Sequence, residues 1–170
     1  MAYIDTAAII QVIGAIFMNN DLLDNNSYTF NEEDFPEEFH KILFGSIFNL
    51  HQLGAKNITP AVIEDYLEQR PKKYAVYKTN KGSEYLQNLV NNVQITAFDY
   101  YYQKMKKMTL LRMYQSIGMD LKWLYDIDNI LDLKKKQKQE ETYCRDFCDS
   151  LCGSRPVGIS SKCSTFARTL

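Results

Sequence analysis

The stretch Thr6-Ala7-Ala8-Ile9-Ile10-Gln11-Val12-Ile13-Gly14-Ala15-Ile16-Phe17-Met18 decides the fold class. Ile9, Val12, Ile13, Ile16 and Phe17 recur at i, i+3, i+4, i+7 and i+8. That spacing lines up one face of an α-helix, so a helix with one buried face is predicted over 6–18. Asp5 or Thr6 stands where a side-chain oxygen caps the free N–H groups of a first turn. Asn19-Asn20-Asp21 breaks the pattern, Leu22-Leu23 leave a short apolar stub, and 24–31 read as polar loop.

The helical period continues outward from there. Pro36 suits a first turn, Glu37 and Glu38 suit its positive end, and Gly54 suits a stop, which predicts a helix over 36–53. Its stripe is Phe39, Ile42, Leu43, Ile47 and Leu50. Thr59-Pro60 is a cap followed by a first-turn proline. Ile63, Tyr66 and Leu67 form the inward face of that helix, and Pro71 is expected to end it. Residues 71–81 are expected to form a basic loop carrying Tyr74 and Tyr77. Ser83 opens a further helix, with Tyr85, Leu86, Leu89 and Val90 inward. Thr96 and Asp99 resemble a capping box ahead of a long amphipathic stretch. A last helix starts at Asp126 or Asp128 and turns basic at Lys134-Lys135-Lys136-Gln137-Lys138. No alternating strand pattern of useful length and no repeat appears. The expected fold is all-α: a compact bundle of about six short helices over 1–95, then a helical hairpin over 96–141.

The chain has 170 residues, 45% apolar and 24% charged, which suits one domain or a domain with an appendage. A net charge of −1 gives the whole chain no basic excess to draw it onto nucleic acid. The apolar run from Ala7 to Met18 is too short to span a bilayer. Met1-Ala2-Tyr3-Ile4-Asp5 lacks the basic start of a signal peptide, so a cytoplasmic protein without membrane association is expected. Charge is uneven, however. Residues 1–70 hold 11 acidic and 3 basic side chains, and residues 71–170 hold 10 acidic and 17 basic. The halves are either two solvated faces of one domain, or surfaces that meet between subunits or face a partner. A second break lies near residue 141. Cys144, Cys148, Cys152 and Cys163 all follow it, whereas all twelve asparagines precede it. Residues 142–170 therefore read as an atypical Cys/Ser/Arg-rich tail, from a frameshifted or fused reading frame or disordered.

Catalytic patterns are missing from the sequence. It has no GxxxxGK[ST], GxGxxG, HExxH or GxSxG run, and Lys81-Gly82-Ser83 only superficially resembles a phosphate loop. His40 and His51 lie eleven residues apart, about 16 Å along one helix, too far to share a metal. Cys144, Cys148 and Cys152 are spaced i, i+4, i+8, unlike the CxxC pairs of zinc sites. No catalytic residue, metal or cofactor is expected. Tyr100-Tyr101-Tyr102, followed by Lys104, Lys106 and Lys107, interleaves aromatics with cations as single-strand binders do. On one helix, though, consecutive tyrosines point apart, so about one should be core.

Five segments in order resemble the N-terminal domain of DnaB-type replicative DNA helicases. They are Ala8-Ile9-Ile10-Gln11-Val12-Ile13-Gly14-Ala15-Ile16-Phe17-Met18, then Glu33 to Phe44, then Leu53-Gly54-Ala55 with Ile58 to Leu67, then Gly82-Ser83-Glu84-Tyr85-Leu86-Gln87-Asn88-Leu89, and finally Thr96 to Tyr101. The family's opening glutamate is not evident, its Pro-Ile-Asp step reads Ile58-Thr59-Pro60, and 71–81 is an insertion with Lys72, Lys73 and Lys78. The resemblance covers about 5–140. It implies a non-catalytic collar domain whose hairpin pairs with a neighbour's and which receives primase and loader proteins. The family's ATP-dependent motor is not expected in these residues. Tyr102, Met105, Met108, Leu111, Leu121, Trp123, Leu124, Ile130 and Leu131 would then form the hairpin's intramolecular and dimer contacts. The implied partners are a second copy, primase or helicase loader, full-length helicase subunits and, indirectly, nucleic acid. The alternative is a free-standing helical DNA-binding or regulatory protein. It would place Lys104, Lys106, Lys107, Lys134, Lys135, Lys136 and Lys138 on phosphates or a partner.

Overall fold

The computed structural model describes residues 3–118. Six α-helices follow in order: α1 Thr6–Met18, α2 Glu38–Gln52, α3 Pro60–Glu68, α4 Pro71–Thr79, α5 Gly82–Asn92 and α6 Phe98–Ser116. Single 3-10 turns occupy Asn20–Leu23, Glu32–Asp34 and Ile95–Ala97. No strand occurs among the described residues. The second arm of the expected hairpin and the tail from 142 lie outside them.

Local chemistry accounts for the helix ends. The Asp5 carboxylate accepts from Ala8 N–H at 2.9 Å and starts α1. The Thr59 hydroxyl accepts from Val62 N–H at 3.3 Å, with Pro60 in the first turn of α3. After α2 the chain turns at Gly54 (φ +85°), whose N–H donates to His51 C=O at 2.8 Å. Pro36 stays outside α2, which begins two residues later than its sequence signals suggest.

One core joins the helices. Ala8, Val12, Ile13 and Ile16 of α1, Leu43 and Ile47 of α2, Ile63 and Leu67 of α3, and Leu86 of α5 are fully buried. Each large side chain of this kind contributes roughly 1.5–3 kcal/mol by leaving water. α1 packs on α2 and α5, and α2 also packs on α3 and α4. At Gly14 an added Cβ would stand 2.2 Å from Val93 Cγ2, so glycine is what lets the chain after α5 approach α1 so closely. Val90, expected inward, is 42% exposed. It sits beside the buried stripe of Leu86 and Leu89 rather than on it.

Most of the segment 71–81 is a helix, α4, rather than a loop. Pro71 does not end α3 so much as start α4, whose φ it pre-sets. Only Tyr77 of α4 is fully inside, so its sequence shows no apolar stripe. A polar hub ties it down. Glu64 of α3 pairs with Lys78 and accepts from Tyr74 Oη and Ser83 Oγ, each at 3.1 Å. Lys78, through its hydrogen bond, together with the two hydroxyls, holds the Glu64 carboxyl below its usual range against the opposing pull of desolvation. Lys81 takes the left-handed conformation (φ +51°) before α5. An added Cβ at Gly82 would meet the Tyr77 ring at 2.1 Å.

Candidate assembly surface

The chain divides into two compact units, Met1–Leu110 and Leu111–Leu170, and α6 crosses the division. Within the first unit, α6 is rooted in the bundle by both of its chemistries. Tyr102 is buried, and its hydroxyl accepts from Thr29 N–H at 2.9 Å and donates to Thr29 C=O at 3.1 Å. Its ring packs edge-on against Tyr28 and Phe30 and lies 6.0 Å from Phe98. Met105 is 1% exposed in the same core. Tyr101 is half-buried and Tyr100 is 59% exposed, so one of the three consecutive tyrosines is core, as their angular spread predicts.

Charge completes the root. Asp34 is fully buried. Lys106 Nζ donates to its two oxygens at 3.0 and 2.9 Å, and Asn31 N–H donates to the second oxygen at 2.9 Å. Lys104 Nζ lies 3.1 Å from Asp5 Oδ2. Partial burial pushes the Asp5 carboxyl up, but Ala8 N–H and Lys104 outweigh it and hold it below its usual range. The same contact, chiefly its hydrogen bond, raises the Lys104 ammonium. Tyr28 Oη donates to Asp99 at the start of α6, and that bond holds its proton more tightly than usual. Lys107 is 7% exposed.

The residues singled out from sequence thus divide. Tyr102 and Met105 belong to the chain's own core rather than to an open face. Met108 is half-buried and Leu111 is buried. Lys104 and Lys106 hold carboxylates of the bundle. Leu121, Trp123, Leu124, Ile130, Leu131, Lys134, Lys135, Lys136 and Lys138 lie outside the described residues. Sequence reasoning missed two others. Met113, in the last turn of α6, is 40% exposed, and Ile117, just past its end, is 50% exposed. Their i, i+4 spacing was the available signal, masked by the stronger stripe before it.

Both histidines have partners of their own. His40 is buried, with Nε2 2.9 Å from Tyr85 Oη and Nδ1 3.2 Å from Glu37 without a hydrogen bond between them. Burial lowers its basicity and Glu37 only partly restores it. Burial, aided by Glu37, pushes the Tyr85 hydroxyl to about 12. His51 Nε2 lies 2.9 Å from Asp24. Among the described residues no group of three metal-ligating side chains forms and no helix is long and apolar enough to cross a membrane.

The geometry defines a class: an all-α bundle domain whose core holds the base of its last described helix. The chain belongs to the family of the DnaB-like helicase N terminal domain, whose model matches residues 6–107. That membership relates the chain to DnaB-like helicases. It is also 34% identical over 148 residues to the SPbeta prophage-derived uncharacterized protein YorI of Bacillus subtilis (strain 168). This match takes in 86% of the chain and 29% of YorI, so the chain spans under a third of the length of the curated relative it matches. No solved structure matches.

Proposed function

We propose that the chain is a helicase collar module, acting in the cytoplasm through assembly and docking rather than through chemistry of its own. Copies pair through the hairpin that begins with α6. The paired domains receive primase or a helicase loader, join full-length helicase subunits, and meet nucleic acid only indirectly. The observation that carries this reading is the pair Met113, in the last turn of α6, and Ile117, just past its end, both exposed in a chain of this family. Exposed apolar side chains close together in the chain are what a second copy covers. The expected contribution of Trp123 and the 121–131 residues to the pairing belongs to the same proposal.

The alternative, a free-standing DNA-binding protein, loses support from Lys104 and Lys106, whose ammonium groups are engaged by Asp5 and Asp34. Light scattering over a range of protein and salt concentrations, with and without residues 142–170, tests the proposal. Dimers or higher multiples should survive high salt and removal of the tail, and Met113→Glu with Ile117→Glu should abolish them without loss of helix signal. A monomer at every concentration overturns the proposal.

A further inference from the structure

Glu37-Glu38-Phe39-His40 places a carboxylate and an imidazole three residues apart at the start of α2. Glu37 is the residue before the first turn, yet its carboxylate caps no backbone N–H. His40 is 3% exposed, and its Nδ1 is buried without a hydrogen-bond partner. A buried polar atom in that state is costly and uncommon in folded proteins. Glu37 Oε2 nevertheless lies 3.2 Å from that nitrogen. His51 differs, because its Nε2 meets Asp24 in an ordinary hydrogen bond at 2.9 Å.

The other ring nitrogen is already oriented. Nε2 lies 2.9 Å from Tyr85 Oη of α5. Burial and Glu37 together push the Tyr85 hydroxyl up to about 12, so it meets the ring as a neutral group. With the ring proton on Nε2 and donated to that hydroxyl, Nδ1 presents its lone pair to Glu37. Burial disfavours the imidazolium, which keeps that lone pair free at neutral pH. Ligating histidines are held in the same way: a partner on the second nitrogen fixes the tautomer and the ring plane.

We propose that His40 Nδ1 and the Glu37 carboxylate bind a divalent transition-metal ion of the zinc type at the start of α2. An ion ~2.1 Å from both atoms sees them about 100° apart when they stand 3.2 Å from each other, between octahedral and tetrahedral angles. Imidazole with carboxylate suits zinc, copper or nickel, whereas magnesium and calcium take oxygen ligands. The Glu37 side chain is 52% exposed, so the ion arrives from that side. Glu38 is exposed next to it, and the two carboxylates offset the positive end of the helix. No third metal-ligating side chain joins them among the described residues, so water completes the coordination and the ion exchanges readily. Once bound, it ties the chain entering α2 to the ring that Tyr85 holds from α5. The site is independent of how copies assemble.

The chain has two histidines, so long-range proton–nitrogen spectra read each imidazole separately. The experiment titrates zinc chloride into the full chain carrying Cys144→Ser, Cys148→Ser, Cys152→Ser and Cys163→Ser, which keeps thiols from competing for the metal. Zinc should move the Nδ1 signal of His40 and leave His51 in place. The melting temperature should rise with zinc concentration and not with magnesium. Glu37→Gln replaces an exposed charged ligand without touching the core, and should weaken zinc about tenfold or more. Tyr85→Phe leaves both ligands present but frees the ring, and should weaken zinc about tenfold. His51→Gln should change neither the affinity nor the His40 signal. Zinc at millimolar concentration that leaves His40 unmoved, that moves only His51, or that binds Glu37→Gln as tightly as the parent overturns the site.

Discussion

Lys106→Met should be the most damaging surface-looking substitution in the chain. A sequence reader sees an exposed lysine on a basic helix. The structure shows a cation that spans both oxygens of a carboxylate with no exposure to water. Removing one partner of a buried pair typically costs ~3–5 kcal/mol, because the remaining charge is stranded away from water. Two features pull the cost toward the lower end. The Lys106 side chain retains 16% exposure, and Asn31 N–H continues to serve one oxygen of Asp34. Methionine preserves the apolar stem, so little packing is lost. About 3 kcal/mol remains, which for a urea slope of ~2 kcal/mol/M lowers the midpoint by roughly 1.5 M. Urea unfolding followed by circular dichroism reads this directly. Lys106→Met with Asp34→Asn should recover part of the loss, since a neutral amide replaces the stranded charge. A single-variant cost below ~1 kcal/mol, the range of an exposed pair, would refute the reasoning.

Other perturbations follow from the same contacts. Gly82→Ala drives a methyl into the Tyr77 ring and should cost about 1–3 kcal/mol in urea unfolding, partly recovered by Tyr77→Leu, which makes room. Thr59→Ala removes the cap of α3 and should cost ~1 kcal/mol in the same assay, with Thr59→Ser close to wild type. His40 has its folded pKa depressed, so its neutral form stabilises the fold above the unfolded value of about 6.5, and that contribution is lost as pH falls below it. A stability profile from pH 8 to 5 should therefore slope down in wild type and flatten in His40→Gln. Asp5 also has a depressed folded pKa, so its contribution is present above about 3.9 and lost as pH falls through the lower folded value. Asp5→Ala should remove that part of the acid limb in a low-pH titration followed by circular dichroism.

How much of this was legible in the sequence depends on the range of the interaction. α1, α2 and α3 were readable because each carries its own apolar stripe and its own cap or stop, with Asp5, Thr59 and Gly54 acting within a few residues of themselves. α5 was readable from its stripe, although it starts at Gly82, one residue before the expected Ser83. α4 was not readable, because its stability comes from Glu64 and from the single inward ring of Tyr77 rather than from a stripe. The assembly surface suffered more. α6 carries inward residues and exposed apolar ones, and periodicity shows the stripes without saying which faces the chain's own bundle. Tyr102 therefore looked like an interface residue until Thr29, 73 positions away, claimed its hydroxyl. Lys106 looked free until Asp34, 72 positions away, claimed its ammonium.

The charge asymmetry gains a physical meaning from these pairs. Lys78 with Glu64, Lys104 with Asp5 and Lys106 with Asp34 each join a base from beyond residue 70 to an acid from before it. To that extent the two halves meet within the fold rather than standing as separate solvated faces. A binding experiment that reverses charges across the basic half without this distinction would mislead. Reversal at Lys106 sets a second carboxylate against the buried Asp34 and unseats the base of α6 before any phosphate contact is tested. Reversal at Lys72 and Lys73 touches no pair among the described residues and leaves the fold standing. A loss of function at the first position therefore reports on folding, and only a loss at the second reports on an encounter with another molecule.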